Sequence, residues 1–225
     1  ADCPMAHMIT ADRIAEVRAE YENLAVVCYV NSTAEIKAVS DVCVTSSNAV
    51  KVVSNIPQKN IFFVPDNNLG RYVAEKLPEK HFIFHDGFCH VHKSIHAAEL
   101  QAAKDACPEA LVLTHPECTS DVVAMSDFVG STSEIIDFAT QSDCKKFIIC
   151  TEMGVFFELQ QKNPDKKFYS VGHRQFCPNM KKVTIDKVEQ VLEKLGSGEL
   201  EEITLSDEIL TRAAKPLQRM LELAK

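Results

Sequence analysis

No apolar run in these 225 residues approaches the ~20 needed to span a bilayer, so nothing in the sequence reads as crossing a membrane. Positive charge is not in excess either: 24 Lys and Arg against 32 Asp and Glu leave a net −8. Without a basic stripe to neutralise phosphates, nucleic acid is excluded as a partner. A small anionic substrate stays compatible, because a few local donors outweigh the global sign. The chain opens "ADCPMAHMIT", lacking an initiator Met, a basic leader and an apolar h-region, and reads as the interior of a longer protein. No Cys-x-x-Cys pair lies near its most metal-like stretch, "HDGFCHVHK", where Cys89, His90 and His92 crowd into four positions. What is present is ordinary soluble globular material, 46% hydrophobic and 25% charged, long enough for one large domain or two or three small ones.

Nine cysteines are the unusual count. A secreted disulfide scaffold would be shorter and loop-rich. Several of these cysteines sit inside apolar runs, such as Cys28 in "VVCYV" and Cys150 in "FIIC". They read as reduced cytoplasmic thiols, most of them buried and a minority free to bind metal.

Short β-rich runs alternate with helical patterns. The strands expected are Leu24 to Val30, Asn60 to Val64, Lys80 to Phe84, Ala110 to Thr114, Lys145 to Cys150 and Lys167 to Val171. Between them lie helices such as Thr10 to Tyr21, with Ile14, Val17 and Tyr21 on one face. This alternation predicts an α/β fold with parallel sheets covered on both faces.

The sequence also repeats itself. An offset of 86 places Cys3 on Cys89, "AVVCYVN" on "LVLTHPE", "SDVCVTSSNAV" on "SDFVGSTSEII" and "NIFFVPD" on "KFIICTE". An offset of 174 places Cys3-Pro4 on Cys177-Pro178 and "ITADRIAEV" on "VTIDKVEQV". Residues 1–88 and 89–176 therefore read as two three-layer αβα units, and 177–225 as the C-terminal part of a third, incomplete one. The third has a helix Thr184 to Leu195 with Gly196 at its C-cap, a strand "EEITL", and a helix from Ser206 interrupted by Pro216. Three related units are expected to stand about a pseudo-threefold axis, with a half-unit preceding residue 1.

The repeat singles out ligands. Cys3, Cys89 and Cys177 recur in register before a helix, while Cys28, Cys43, Cys107, Cys118, Cys144 and Cys150 do not. Three thiolates with no obvious fourth protein ligand suit a cubane iron–sulfur cluster with one iron open. A closed zinc site would need a fourth ligand, for which His92 could serve, and three merely buried cysteines are the bland alternative. Tyr29 and Asn31 end one central strand, with His115 and Glu117 at the matching places, where parallel sheets collect ligands. Thr45, Ser46, Ser131 and Thr132 put hydroxyls at two helix starts, as caps or as a shared site for carboxylate or phosphate. His7, His81, His85, His96 and His173 read as surface or packing residues, Cys118 as a packing or redox thiol, and Lys181 and Lys182 as solvated.

These motifs resemble quinolinate synthase, the enzyme of bacterial and plastid NAD biosynthesis. The stretches that carry the resemblance are "CPMAHMIT", "CYVNSTAEIKAVSDVCVTSSNAVKVV", "PDNNLGRYVAEK", "GFCHVH", "HPECTSDV", "DFVGSTSEII", "TEMGVFFEL" and "CPNMKK", spread over essentially the whole chain. The resemblance implies three αβα domains about a pseudo-threefold axis and a [4Fe-4S] cluster on Cys3, Cys89 and Cys177. It implies a transferase that condenses iminoaspartate with dihydroxyacetone phosphate, losing phosphate and water. It also implies a transient contact with the L-aspartate oxidase or dehydrogenase that supplies iminoaspartate. By motif it assigns Tyr29, Asn31, Ser46, His92, His115, Glu117, Ser131 and Thr132 to the site. Chemistry then suggests Glu117 as general base and Tyr29 or His92 as proton donor or shuttle. Asn31, Ser46, Ser131 and Thr132 would orient carboxylates and phosphate, with His115 contacting substrate or orienting Glu117. The family normally carries a further portion before "CPMA", with a His-Asn-Tyr segment. Without it the third wall of the site is missing, so a truncated, catalytically silent chain is the alternative reading.

Overall fold

A computed structural model describes residues 1–172, 175–200 and 202–225. Two four-stranded parallel sheets organise the fold. The first contains β1 (Leu24–Tyr29), β2 (Val42–Val44), β3 (Asn60–Val64) and β4 (His81–Phe84) in the order β2-β1-β3-β4. The second contains β5 (Leu111–Thr114), β6 (Phe128–Val129), β7 (Lys146–Cys150) and β8 (Lys167–Ser170) in the order β6-β5-β7-β8. Helices connect the strands, as parallel pairing requires.

The two sheets are one design used twice. Val26 donates its N–H to Asp41 Oδ2 at 2.7 Å, and Val112, 86 residues on, donates to Asp127 Oδ2 at 2.7 Å. The Lys80 ammonium holds the carbonyls of Ile56 and Gln58, and Lys166 holds those of Ala139, Thr140 and Ser142. The six strands expected between Leu24 and Val171 form within a residue at either end. The short edge strands β2 and β6 were not expected, because two or three residues carry too little pattern to read as strands.

The continuous apolar strands bury both faces. Val26, Val27, Ile61, Phe62 and Phe63 fill the first core, and Leu113, Phe147, Ile148 and Ile149 belong to the second unit's cores. Thr10 caps the helix Ala11–Glu20 by accepting from the Arg13 N–H, and the helix places Ile14 and Val17 on the sheet.

Residues 177–225 divide. Thr184 caps the helix Ile185–Glu193 as Thr10 caps its counterpart, by accepting from the Lys187 N–H. Yet Val188 and Val191, the counterparts of fully buried Ile14 and Val17, are 42% and 49% exposed. The strand expected from "EEITL" does not form over its described residues 202–205, where Ile203 lies exposed with no neighbouring strand to pair with. The last helix, Asp207–Leu223, was expected to break at Pro216 and instead runs through it. Pro216 is buried with Ala213 and Met220, and that packing offsets the lost backbone hydrogen bond. Leu217, Met220, Leu223 and Ala224 join the first core. His173 lies outside the described residues.

Candidate active site

Loops beyond the carboxyl ends of both sheets meet around a cavity of about 540 Å³. Cys3, Cys89 and Cys177 line it together with Tyr29, Asn31, His92, His115, Glu117 and Thr132. Each of the three cysteines precedes a short helical turn: Pro4–His7, His90–Lys93 and Met180–Lys182. The Asn31 amide donates to Cys3 Sγ at 3.3 Å.

The floor is a buried chain of polar groups. His92 Nδ1 lies 3.1 Å from Glu117 Oε2, and its Nε2 lies 3.0 Å from the Thr151 hydroxyl. His115 stacks on His92 with ring centroids 4.5 Å apart, and its Nδ1 accepts the Glu117 N–H at 3.3 Å. The Tyr29 phenol faces the same cavity, close enough for the Glu117 charge to act on it.

Burial would neutralise both His92 and Glu117, but each is the other's counter-ion. Glu117 is held down to about 2 despite burial, chiefly by His92. His92 is raised to about 10 against its own burial, chiefly by Glu117 and then by Cys89. The pair is therefore an imidazolium–carboxylate at neutral pH, with Nδ1–H donating to Glu117 and Nε2–H to Thr151. Burial, and then the charge on His92, hold His115 down to about 4, so the stacked rings do not charge together. Burial and then the Glu117 charge push the Tyr29 phenol well above its ordinary value, so it keeps its proton.

Ser46 and Ser131 do not line this cavity. They line a second one of about 390 Å³, joined to the first through Thr132, which lines both. Ser131 caps the helix Thr132–Gln141 in a capping box: its hydroxyl accepts the Glu134 N–H, and Glu134 Oε2 accepts the Ser131 N–H at 2.7 Å. Cys118 is 1% exposed, and its thiol donates to the Cys150 carbonyl at 3.4 Å, a packing role. His7, expected at the surface, is exposed but lines the cavity and pairs with Asp2 at 2.8 Å.

Sequence reasoning missed Thr151, Glu152 and Asn179 on the cavity wall. The signal for the first two was on the page, since "CTE" repeats "VPD" at the offset of 86.

Among the described residues, the one trio whose ligand atoms all lie within 4.8 Å of one another is Cys89, His92 and Glu117. Cys3, Cys89 and Cys177 are spread more widely, although they share the cavity. Thiolates on one tetrahedral zinc would stand about 3.8 Å apart, given a Zn–S bond of roughly 2.3 Å. A cluster that offers each thiolate a different iron fits the wider set.

Fold and site together define a parallel α/β protein with a thiol-lined polar cavity at its strand ends. Comparison with known proteins narrows the class. The family model described as "Quinolinate synthetase A protein" matches residues 1–222. Quinolinate synthase of Caldicellulosiruptor saccharolyticus is 48% identical over 224 residues, covering 100% of this chain and 73% of the relative. That of Fusobacterium nucleatum is likewise 48% identical over 224 residues, and that of Clostridioides difficile 44% over 225, each with 73% of the relative covered. The chain belongs to the quinolinate synthase family.

Proposed function

We propose that this chain carries out the condensation of iminoaspartate with dihydroxyacetone phosphate to quinolinate, with loss of phosphate and water, using a [4Fe-4S] cluster held by Cys3, Cys89 and Cys177. The observation that carries the reading is the meeting of these three thiols with Tyr29, Asn31, His92, His115 and Glu117 in one cavity. When bound, the cluster would supply an open iron as Lewis acid toward a substrate oxygen.

The protein's own groups then divide the proton work. The proton of the buried pair rests on His92, so His92 is the donor to a leaving oxygen. Glu117 becomes an effective base only once that proton is gone, so the pair gives one proton and then receives one. Tyr29 remains protonated and orients a substrate oxygen, and neutral His115 carries its proton on Nε2 because Nδ1 accepts the Glu117 N–H. Asn31 and Thr132 hold carboxylate at the thiol-lined end, while Ser46 and Ser131 bound the adjoining cavity in which phosphate would sit. The iminoaspartate comes from an L-aspartate oxidase or dehydrogenase in transient contact, and free thiols throughout suit the cytoplasm. We further take the two sheets and the helix Ile185–Glu193 as members of three units about a pseudo-threefold axis.

A second reading rests on the Cys89, His92 and Glu117 trio, which has the reach for one zinc ion. Anaerobic purification with iron, sulfide and zinc quantified separates the two. About four irons and four sulfides per chain, lost in Cys3→Ala, Cys89→Ala and Cys177→Ala alike, is expected. A single zinc that survives Cys3→Ala and Cys177→Ala would replace the cluster reading with the second one.

A further inference from the structure

The loops that deliver Cys89 and Cys177 are tied down in the same way, by residues no motif assigns. Asp66 stands just past β3, and Glu152 just past β7, at the offset of 86 that relates the sheets. Asp66 Oδ2 accepts the Cys89 N–H at 3.0 Å, and Glu152 Oε1 accepts the Cys177 N–H at 3.2 Å. Beside each carboxylate, the next residue's N–H reaches the carbonyl two residues before the cysteine. Asn67 donates to the Gly87 carbonyl at 2.8 Å, and Met153 donates to the Gln175 carbonyl at 2.8 Å. The arrangement survives although two more residues separate β8 from Cys177 than separate β4 from Cys89.

The clamps are tight. Asp66 is fully buried, and its second oxygen accepts the Leu69 N–H at 2.8 Å. A side chain at Gly87 would place its Cβ 2.3 Å from the Pro65 carbonyl oxygen, so only glycine lets the loop lie this close. At Gln175 the side chain itself fills the equivalent place, donating to the Ile149 and Thr151 carbonyls and accepting the Val171 N–H.

We infer that Asp66 and Glu152 are positioning residues for the cluster thiolates: each holds a cysteine amide, fixes where the sulfur enters the cavity, and keeps that N–H from turning to sulfur. The inference rests on the cluster reading above. Amide donors to cluster sulfurs raise reduction potential, and partners of metal ligands typically contribute ten- to hundredfold in metal affinity. Cys3 has a local counterpart, since its N–H donates to its neighbour Asp2 at 2.8 Å.

Glu152 is the cleaner test, because Asp66 also caps the helix Asn67–Lys76. The anaerobically reconstituted chain is loaded with its cluster. The rate of iron loss to a chelator and the midpoint potential are then measured for wild type, Glu152→Gln, Glu152→Ala, Asp66→Asn and Lys181→Ala. Glu152→Ala is expected to lose iron about tenfold faster and to shift the midpoint upward. Glu152→Gln, which keeps an acceptor oxygen for the Cys177 N–H, stays within about threefold of wild type in iron loss, whereas Asp66→Asn, left with one acceptor for two amide N–H groups, is expected to lose iron faster. Lys181→Ala removes the ion pair to Glu152 but not the amide clamp, and behaves as wild type. A wild-type rate and midpoint in Glu152→Ala, or Glu152→Gln failing as badly as Glu152→Ala, overturns the inference. Wild type that takes up no iron and sulfide overturns the cluster reading, and this inference with it.

Discussion

Charge placement in the site follows from burial set against partners. His92 and His115 are stacked and nearly equally buried, yet they titrate in opposite directions, because only His92 has a carboxylate oxygen within hydrogen-bond distance of a ring nitrogen. His115 is lowered to about 4 from 6.5, by burial first and then by His92. Above pH 6.5 it is neutral folded or unfolded and contributes nothing to pH dependence. As pH falls from 6.5 toward 4, the unfolded chain takes a proton that the folded chain refuses, so stability is lost through that window, on the order of 2 kcal/mol by pH 5. Denaturant unfolding of wild type and His115→Gln between pH 7 and pH 5 tests this. The wild-type advantage is expected to shrink as pH falls, and parallel curves would show that His115 does not titrate as argued. The sequence placed His115 and Glu117 at a strand end, but not their division of charge. That depends on burial and on which ring nitrogen the Glu117 carboxylate reaches, which no local pattern encodes.

At the scale of elements, the same helix is used in three settings. Ile14 and Leu100 hold equivalent positions in the helices Ala11–Glu20 and Ala97–Ala106 and are 1% and 0% exposed. Val188, the third equivalent, is 42% exposed. Capping and periodicity were legible in the first and third, because they depend on residues within one turn; burial was not, because it depends on what lies opposite. Truncating the three side chains separates the two contributions. Ile14→Ala and Leu100→Ala are each expected to cost about 2–5 kcal/mol through lost burial and a cavity. Val188→Ala is expected to stay within about 0.5 kcal/mol, as for a surface position. Thermal or denaturant unfolding reads all three, and a loss above about 1 kcal/mol at Val188 would mean that this face is covered in solution. The strand misread at "EEITL" has the same origin: β-branched residues favour a strand only where a neighbour completes the ladder.

Across the whole molecule, the internal repeat carried more of the fold than any local pattern did. Offsets of 86 and 174, read from motifs alone, coincide with matching sheet orders, matching carboxylate locks at Asp41 and Asp127, and matching threonine caps at Thr10 and Thr184. Nine of the eleven expected site residues line one cavity, His92 among them by motif rather than by the repeat, with Ser46 and Ser131 next door. Periodicity could not say where the last helix goes. Asp207–Leu223 lies more than 120 residues beyond β4, yet it packs over β2 and the helix Ala34–Ala38, and the Asn55 amide donates to its Leu223 carbonyl at 2.9 Å. Leu217, Met220 and Leu223 join the first core and no residue of this helix joins the other two, so the first sheet depends on the far end of the chain and the second does not. Removing residues 206–225 is therefore expected to uncover the first sheet selectively. Hydrogen exchange followed by mass spectrometry should then show protection falling by at least tenfold across β1 to β3, with β5 and β7 close to their full-chain rates. Equal loss in both sheets would mean that the two units fold as one cooperative body, with the last helix stabilising the whole rather than its own face.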